Sequence, residues 1–420
     1  MTGAAVVGLV VNPVAGLGGA AGLKGSDGVE VQCAALAMGA TPRAGERAAR
    51  AVRTLMARRP GTRVLTVPGR MGEDSVRAAG APYDLVRPPS GHPAGTSAED
   101  TRRAVAALAG VDLLLFAGGD GTARDVLDAV RALGGQAPPA LGVPAGVKVY
   151  SGCFAVSPAV AGFVAAEFDP ARTADAEVVD LDEDAYRRGL VSPRLYGSLR
   201  VPAARAALSG RKTGSSGVAP ATAEGVAREV VARMRPGVRY VLGPGATTRA
   251  VGRTLGLATT LLGVDVVERA PEGGRLVAAK VVERAPEGGR LGAAEVVERA
   301  SAGGRLVAAD VAEAELFGLV SGTESVLVLS VIGGQGFVLG RGNQQVSPRV
   351  LDAVLHGGHS GRLLVLATQQ KLASLKGRPL LADSGDEDLD KKLGGHVQVI
   401  TGYRESTIYR ICAASEEFDG

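Results

Sequence analysis

Short apolar runs alternate with amphipathic stretches along residues 1–150. Ala4–Val11, Arg63–Val67, Tyr83–Val86, Val111–Phe116 and Ala140–Val143 are nearly continuous apolar segments, the pattern of strands buried on both faces of a parallel sheet. Between them, Arg43–Arg59, Ser97–Ala109 and Thr122–Leu133 carry apolar residues at helical spacing. In the last, Val126, Leu127, Val130 and Leu133 form one stripe, with Arg124, Asp125, Asp128 and Arg131 outside it. Thr96 and Glu99 match a capping box that opens the helix before Val111–Phe116. The alternation predicts an α/β protein whose N-terminal domain, residues 1–165, is a doubly wound, Rossmann-like parallel sheet.

Beyond residue 165 the pattern shifts. Val178–Leu181, Leu195–Val201, Val238–Leu242, Leu261–Val267, Val326–Ile332, Leu363–Ala367, Val397–Thr401 and Ile408–Cys412 read as strands with fewer helical stretches between them. A second, β-rich domain over residues 166–412 is expected, with residues 413–420 as a tail that is acidic over Glu416–Gly420. Residues 209–217 (SGRKTGSSG) have the composition of a flexible loop. Residues 266–310 hold three near-copies at a 15-residue period: VVERAPEGGRLVAAK, VVERAPEGGRLGAAE and VVERASAGGRLVAAD. Each reads as strand, turn, strand, and the period is too short for the usual solenoid units, so tandem duplication within a surface hairpin is expected.

Composition narrows the class. At 420 residues the chain has room for two or three domains and a sizeable core. Its 46% hydrophobic and 21% charged residues exclude a disordered chain. No apolar run approaches the length of a membrane span, and the N-terminus lacks the basic region of a signal peptide. Cys33, Cys153 and Cys412 are scattered and odd in number, which fits a reducing cytoplasm. A net charge of +4, no Trp and 3% aromatic residues argue against nucleic-acid and membrane partners. Small-molecule nucleotides are the expected partners, with a homo-oligomer left open.

The 61 glycines cluster at strand ends, where tight turns and anion-cradling loops form. The strongest cluster is Phe116-Ala117-Gly118-Gly119-Asp120-Gly121-Thr122, between a buried strand and an amphipathic helix. Its glycines let the backbone approach a ligand, and the helix start offers free N–H groups. A carboxylate beside a phosphate site repels the ligand unless it takes a proton or holds a metal, which makes Asp120 the candidate for chemistry. The plain alternative is a βα turn with an N-capping aspartate. Asn12, Gly16 and Gly18 lie in the loop leaving the first strand; Gly16, Gly18 and Ala21 match G-x-G-x-x-A only weakly, since no acidic residue closes a strand about 20 residues on. Lys148 leaves the last strand of the first domain at the same edge, as a phosphate-neutralising or simply solvated lysine. In the second domain, Gly243, Gly245, Thr247, Thr248 and Arg249 combine glycines, hydroxyls and a cation at a helix start. Gly333, Gly334, Gly336, Arg341, Asn343 and Gln344 form a glycine and amide cluster suited to a base or ribose, or else a glycine-bulged strand pair.

Several constellations are missing. His92, His356, His359 and His396 lack zinc-ligand spacing, and there is neither a G-x-S-x-G elbow nor a G-x-x-x-x-G-K-[ST] loop. No protein metal site is expected. A phosphotransferase on this chain cradles phosphates without a Walker motif.

Ten segments carry a resemblance over nearly the whole chain, among them VVNPVAGLGG (10–19), FAGGDGTARD (116–125), GVPAGVKVYS (142–151), LGPGATTRA (242–250), LLGVDVV (261–267), IGGQGFVLGRGNQQVSP (332–348) and GRPLLADSGD (377–386). The chain resembles the ATP-NAD kinase family, in the branch of the acetoin-catabolism X proteins. The resemblance implies an NAD kinase/diacylglycerol kinase-like fold, with the active site between an N-terminal α/β domain and a C-terminal β-rich domain. It implies ATP or another phosphoryl donor, Mg²⁺ on the donor phosphates, NAD as acceptor at its adenosine-ribose 2′-hydroxyl, and Asp120 as general base. Asp265, within LLGVDVV, joins the nucleotide-binding set on the same ground. The Asn-Glu pair that such kinases use against the nicotinamide side is not evident. A different nucleotide or polyol acceptor, or a non-catalytic nucleotide-binding accessory protein, is therefore the alternative.

Overall fold

The computed structural model describes residues 5–23, 26, 28–88, 97–147, 149–181, 193–204, 208, 221–270, 299–300, 303–355 and 361–416. Five parallel strands form the first sheet in the order β3-β2-β1-β4-β5: β1 (Val6–Val11), β2 (Arg63–Thr66), β3 (Tyr83–Leu85), β4 (Leu113–Gly118) and β5 (Ala140–Pro144). The helices between and after them are α1 (Leu17–Ala20), α2 (Val29–Ala37), α3 (Ala44–Arg58), α4 (Glu73–Ala78), α5 (Ala98–Ala107), α6 (Asp120–Leu133) and α7 (Pro158–Ala166). The two-residue strand period divides the sheet between two buried faces. Val7, Leu9, Val11, Leu113, Leu115 and Val143 pack under α3 and α7, while Val10, Leu114, Phe116 and Ala140 pack under α5 and α6. The strand order reverses between β1 and β4, so the loops leaving those strands part at the carboxyl edge and open a crevice there.

The capping box of α5 lies one residue later than Thr96/Glu99. The Ser97 hydroxyl accepts the Asp100 amide at 3.3 Å, and the Asp100 carboxylate accepts the Ser97 amide at 2.9 Å. Ser97 has the extended N-cap backbone (φ −112°, ψ 169°) that aims a side chain at first-turn amides, and the partner must then be the residue three further on. Thr96 lies outside the described residues.

An antiparallel pair, β6 (Thr173–Leu181) and β7 (Pro193–Pro202), lays Val178, Leu199 and Val201 into the core cluster of α5 and α6. The second large sheet follows. Its nine strands are β8 (Arg239–Leu242), β9 (Asp265–Arg269), β10 (Arg299–Ala300), β11 (Gly304–Ala308), β12 (Ser325–Ser330), β13 (Leu363–Leu366), β14 (Leu380–Ala382), β15 (Gly395–Gly402) and β16 (Glu405–Ala413), in the order β10-β11-β9-β8-β12-β13-β15-β16-β14. This is the β-rich half. At its centre β8, β12, β13 and β15 run parallel, and helices cover both faces. On one, α8 (Ala221–Arg233) and α9 (Ala246–Thr254) pack through Val226, Val230 and Val251. On the other, α10 (Glu313–Val320) and α11 (Pro348–Leu355) pack through Leu316, Val350 and Leu351. Two short helices, α12 (Gln369–Ala373) and α13 (Glu387–Lys392), flank β14. Phe337, Leu381, Cys412 and Ala414 come from this half of the chain yet sit in the core cluster under α3 and α7.

The repeat pairs both within a copy and between copies: in the third copy β10 and β11 form the expected antiparallel pair, with Arg299 opposite Leu306. The opening of the first copy, in β9, pairs antiparallel with the close of the third, in β11, with Glu268 opposite Arg305 and Val267 opposite Leu306. Strand β10, from the third copy, lies on the outer edge of β11. Residues 271–298 and 301–302, the loop 209–217 and residues 417–420 lie outside the described residues. Among the described residues, no helix is long and apolar enough to cross a membrane.

Candidate active site

Three loops interlock at the carboxyl edge of the first sheet. Gly16 sits in the left-handed region (φ 77°), and a Cβ there would overlap the Ala145 carbonyl oxygen. The amides of Ala145 and Gly146 in turn both donate to the Gly118 carbonyl, at 2.8 and 3.0 Å. A Cβ on Gly118 would overlap the Thr122 side chain, whose Oγ1 accepts from Asn12 Nδ2 at 3.0 Å. Glycine is required at 16 because that loop touches the Ala145 backbone, and at 118 because the Thr122 side chain occupies the Cβ position. Gly119 is the N-cap of α6 and no side chain caps that helix, which leaves first-turn amides of Gly121 and Thr122 beside the loop. The Gly18 amide donates to Ser26 Oγ at 3.1 Å, so this glycine braces its own loop.

Asp120 is not a helix cap. Its carboxylate reaches back to the segment after β5 and accepts from the Tyr150 amide (2.7 Å), the Ser151 amide (2.9 Å) and the Ser151 hydroxyl (2.7 Å). Burial pushes its pKa up to about 7, against the opposing pull of the Ser151 and Tyr150 hydrogen bonds. The Ser151 hydroxyl has one proton and two acceptors in reach, Asp120 Oδ1 and the Val179 carbonyl at 2.9 Å. Lys148 lies outside the described residues.

The second domain presents its loops to this same segment. Gln335, buried, donates to the Val149 carbonyl at 2.9 Å, and Gln344 Nε2 donates to the Val147 carbonyl at 2.9 Å. The Gly342 amide also meets Val147, at 3.1 Å, and Leu262 packs on Tyr150 and Val179. Loops at the carboxyl ends of parallel strands from both sheets therefore meet at residues 147–151. Asn343 shapes its loop from inside, accepting from the Gly340 amide and donating to the Val338 carbonyl. Gly334 and Gly336 have positive φ (both 82°). Gly333 lies in the same turn, held at the Gly334 amide by Ser374 Oγ. Gly243 and Gly245 are tied into the sheet by bonds to the Val328 and Leu261 carbonyls, and Gly245 is the N-cap of α9, with no side chain capping it. Thr248 Oγ1 closes the turn on the Gly245 carbonyl, Thr247 Oγ1 accepts from Lys371 Nζ at 3.3 Å, and Arg249 is half-buried on α9. Asp265 braces protein rather than facing the crevice. Its carboxylate accepts from the Thr260 amide and hydroxyl and from the Asp310 amide.

Sequence reading missed the arginines of α3 and their partners. Arg43, Arg47 and Arg50 follow at helical spacing and hold the loop after β14: Arg47 forks Asp383 at 3.1 and 2.5 Å, Arg43 reaches the Gly385 carbonyl, and Arg50 pairs with Glu387. Arg47 also donates to the Pro144 carbonyl at 2.5 Å. The signal was present in the arginine stripe of the helix after the first loop, and Asp383 lies within GRPLLADSGD. A cleft of about 460 Å³ opens between these elements, lined by Gly16, Gly146, Arg47, Arg341, Gln344 and Asp383 among others. Among the described residues, no group of three or more His, Cys, Asp or Glu side chains is arranged to hold a metal ion.

Residues 7–168 match the family model of the ATP-NAD kinase N-terminal domain, and residues 235–411 that of the ATP-NAD kinase C-terminal domain. No curated protein and no solved structure matches the chain significantly.

Proposed function

The chain belongs to the ATP-NAD kinase family and is a phosphotransferase, and from that premise we propose that it transfers the γ-phosphoryl group of ATP to the adenosine-ribose 2′-hydroxyl of NAD, giving NADP and ADP. The observation that carries the reading is Asp120: a buried carboxylate with a pKa near 7, inside the glycine loop, where loops at the carboxyl ends of strands from both sheets meet. A base poised near the working pH combines a populated anionic form with useful basicity.

In this mechanism the ribose oxygen attacks phosphorus in line, the bond to the leaving ADP oxygen breaks, and the hydroxyl proton passes to Asp120. Asp120 Oδ2 accepts one bond, from the Tyr150 amide, and keeps a lone pair for the proton. Turning the Ser151 hydroxyl toward the Val179 carbonyl frees a lone pair on Oδ1 without leaving the serine unpaired. The glycine loops bring backbone N–H groups to the phosphates. With no protein cage for a cation among the described residues, Mg²⁺ fits as a companion of the donor phosphates, whose charge it neutralises. Three scattered cysteines, with no disulfide among the described residues, support placing the protein in the reducing cytoplasm.

Purified full-length protein with NAD, ATP and Mg²⁺ is expected to form NADP, read by an NADP-specific coupled assay. Phosphorylation confined to a different nucleotide or a polyol, in the same incubation, would overturn the choice of acceptor. Nucleotide binding without any transfer would overturn the reaction itself.

A further inference from the structure

We propose that Arg341 and Gln344 form the receptor for the phosphorylated ribose of the phosphoryl donor, in the cleft beside Gly16 and Gly146. That the ligand is a donor rests on the reading above; that it carries an anion and a hydroxyl does not.

The argument begins with charge. Four arginines (43, 47, 341, 349) and two carboxylates (Glu313, Asp383) line the cleft. Each carboxylate is already matched: Asp383 is forked by Arg47, and Glu313 is held by Arg349 through both its oxygens. Arg43 is spent on Glu46 and the Gly385 carbonyl. Among the described residues Arg341 has no carboxylate in contact, although it is only 6% exposed. One nitrogen, Nη2, donates to the Val156 carbonyl at 3.0 Å, and the guanidinium lies over the Phe337 ring at 4.6 Å from its centre. Its Nε is buried with no partner. A buried guanidinium without a directly paired anion is costly to hold, and burial pushes its pKa down to about 10 against the longer-range pull of Asp383 and Asp120, which leaves it cationic at neutral pH. A charge stored this way is complete only when a ligand supplies the anion.

The ligand is more than an anion. Gln344 Oε1 is also buried and unpartnered, while its Nε2 is fixed on the Val147 carbonyl. An acceptor calls for a hydroxyl. An oxyanion and a hydroxyl side by side describe a sugar phosphate, and the fork of arginine suits phosphate oxygens. Among the described residues no aromatic ring lines the cleft to hold a base. The base is therefore expected outside and the phosphorylated ribose inside.

The test uses Arg341→Met, which keeps the apolar stem over Phe337 and removes only charge and donors. Titrations follow the full-length protein with inorganic pyrophosphate, ATP and NAD, each alone. Expected are at least tenfold weaker binding of pyrophosphate and ATP, NAD affinity within threefold, and a melting temperature without ligand no lower than that of the parent by more than a few degrees. Unchanged ATP and pyrophosphate affinity would overturn the receptor. A selective loss of NAD affinity would overturn its assignment to the donor. If the methionine variant does not fold, Arg341→Lys keeps the charge but not the fork, and the same tenfold loss is expected of it; full ATP affinity there refutes the proposal. Because these readouts need no turnover, they stand apart from the NADP assay.

Discussion

The backbone amide of Asp310 donates to Asp265 Oδ1 at 2.9 Å, tying the residue before the first repeat copy to the last residue of the third. The residues that bound the array are thus joined by one clasp. Deleting residues 266–295 keeps Asp265 and Asp310 and puts the third copy's VVER where the first copy's now pairs. The connection from β9 to β11 shrinks from residues 270–303 to four residues, and Arg299 and Ala300 move from β10 into the β9 position. The deletion variant is expected to be folded, as read by urea denaturation, and unchanged in nucleotide affinity.

Asp120 should impose a pH limb on turnover. Because burial raises its pKa to about 7, kcat/KM is expected to rise tenfold per pH unit below that value and to level off above it. Stability runs the other way. The unfolded carboxyl ionises near 3.8 and the folded one near 7, so the folded state holds more protons in that window and loses stability as pH rises through it. Asp120→Asn removes this slope. It also turns an amide NH₂ toward the Tyr150 or Ser151 amide, so a local loss of order 1–3 kcal/mol accompanies an expected fall in turnover of at least ~10²-fold. A pH–rate profile with no limb near 7, in protein that binds NAD normally, removes Asp120 from the base role.

Breaking the pair between α3 and the loop after β14 should be severe. Arg47 is held by Asp383 in a buried fork, and Asp383→Asn leaves its charge uncompensated, at an expected cost of about 3–5 kcal/mol. Replacing both partners, as Arg47→Met with Asp383→Leu, should recover much of that loss. A double-mutant cycle by urea denaturation reads the difference.

Gly340 has φ 87°, and a Cβ there would meet the Asp383 carbonyl oxygen. Gly340→Ala is expected to lose about 1–3 kcal/mol and to push the two sides of the cleft apart. The neighbouring Gly342 has φ 80° but no atom within 4 Å of a Cβ, so Gly342→Ala carries only the backbone strain and should cost less. Equal losses at the two positions would show that the close approach to Asp383 contributes nothing.

The first sheet was legible because its strands are apolar on both faces and its helices carry clear stripes: Val10 and Val11 point opposite ways yet both are fully buried. The glycine loops were legible because a backbone contact such as Gly16 against Ala145 admits no side chain. What the residues of one loop do with their polar atoms was not. Asp265 and Asn343 look in sequence like ligand-binding groups, and both brace loops, since the backbone amides they satisfy lie residues away. Arg47 and Asp383 stand 336 residues apart, and only the packing of α3 against β14's loop makes them a pair. Helix α2 escaped because its apolar residues show no stripe: Val29 and Leu36 face solvent.

Cys412 and Ala414 belong to the core cluster beneath α3 and α7, whose other members are almost all made before residue 170. During synthesis the first sheet must wait, with one apolar patch bare, until nearly the whole chain has emerged. Ribosome-stalled chains that stop short of residue 410 should therefore bind chaperones through the first domain, although every strand of its sheet is already present.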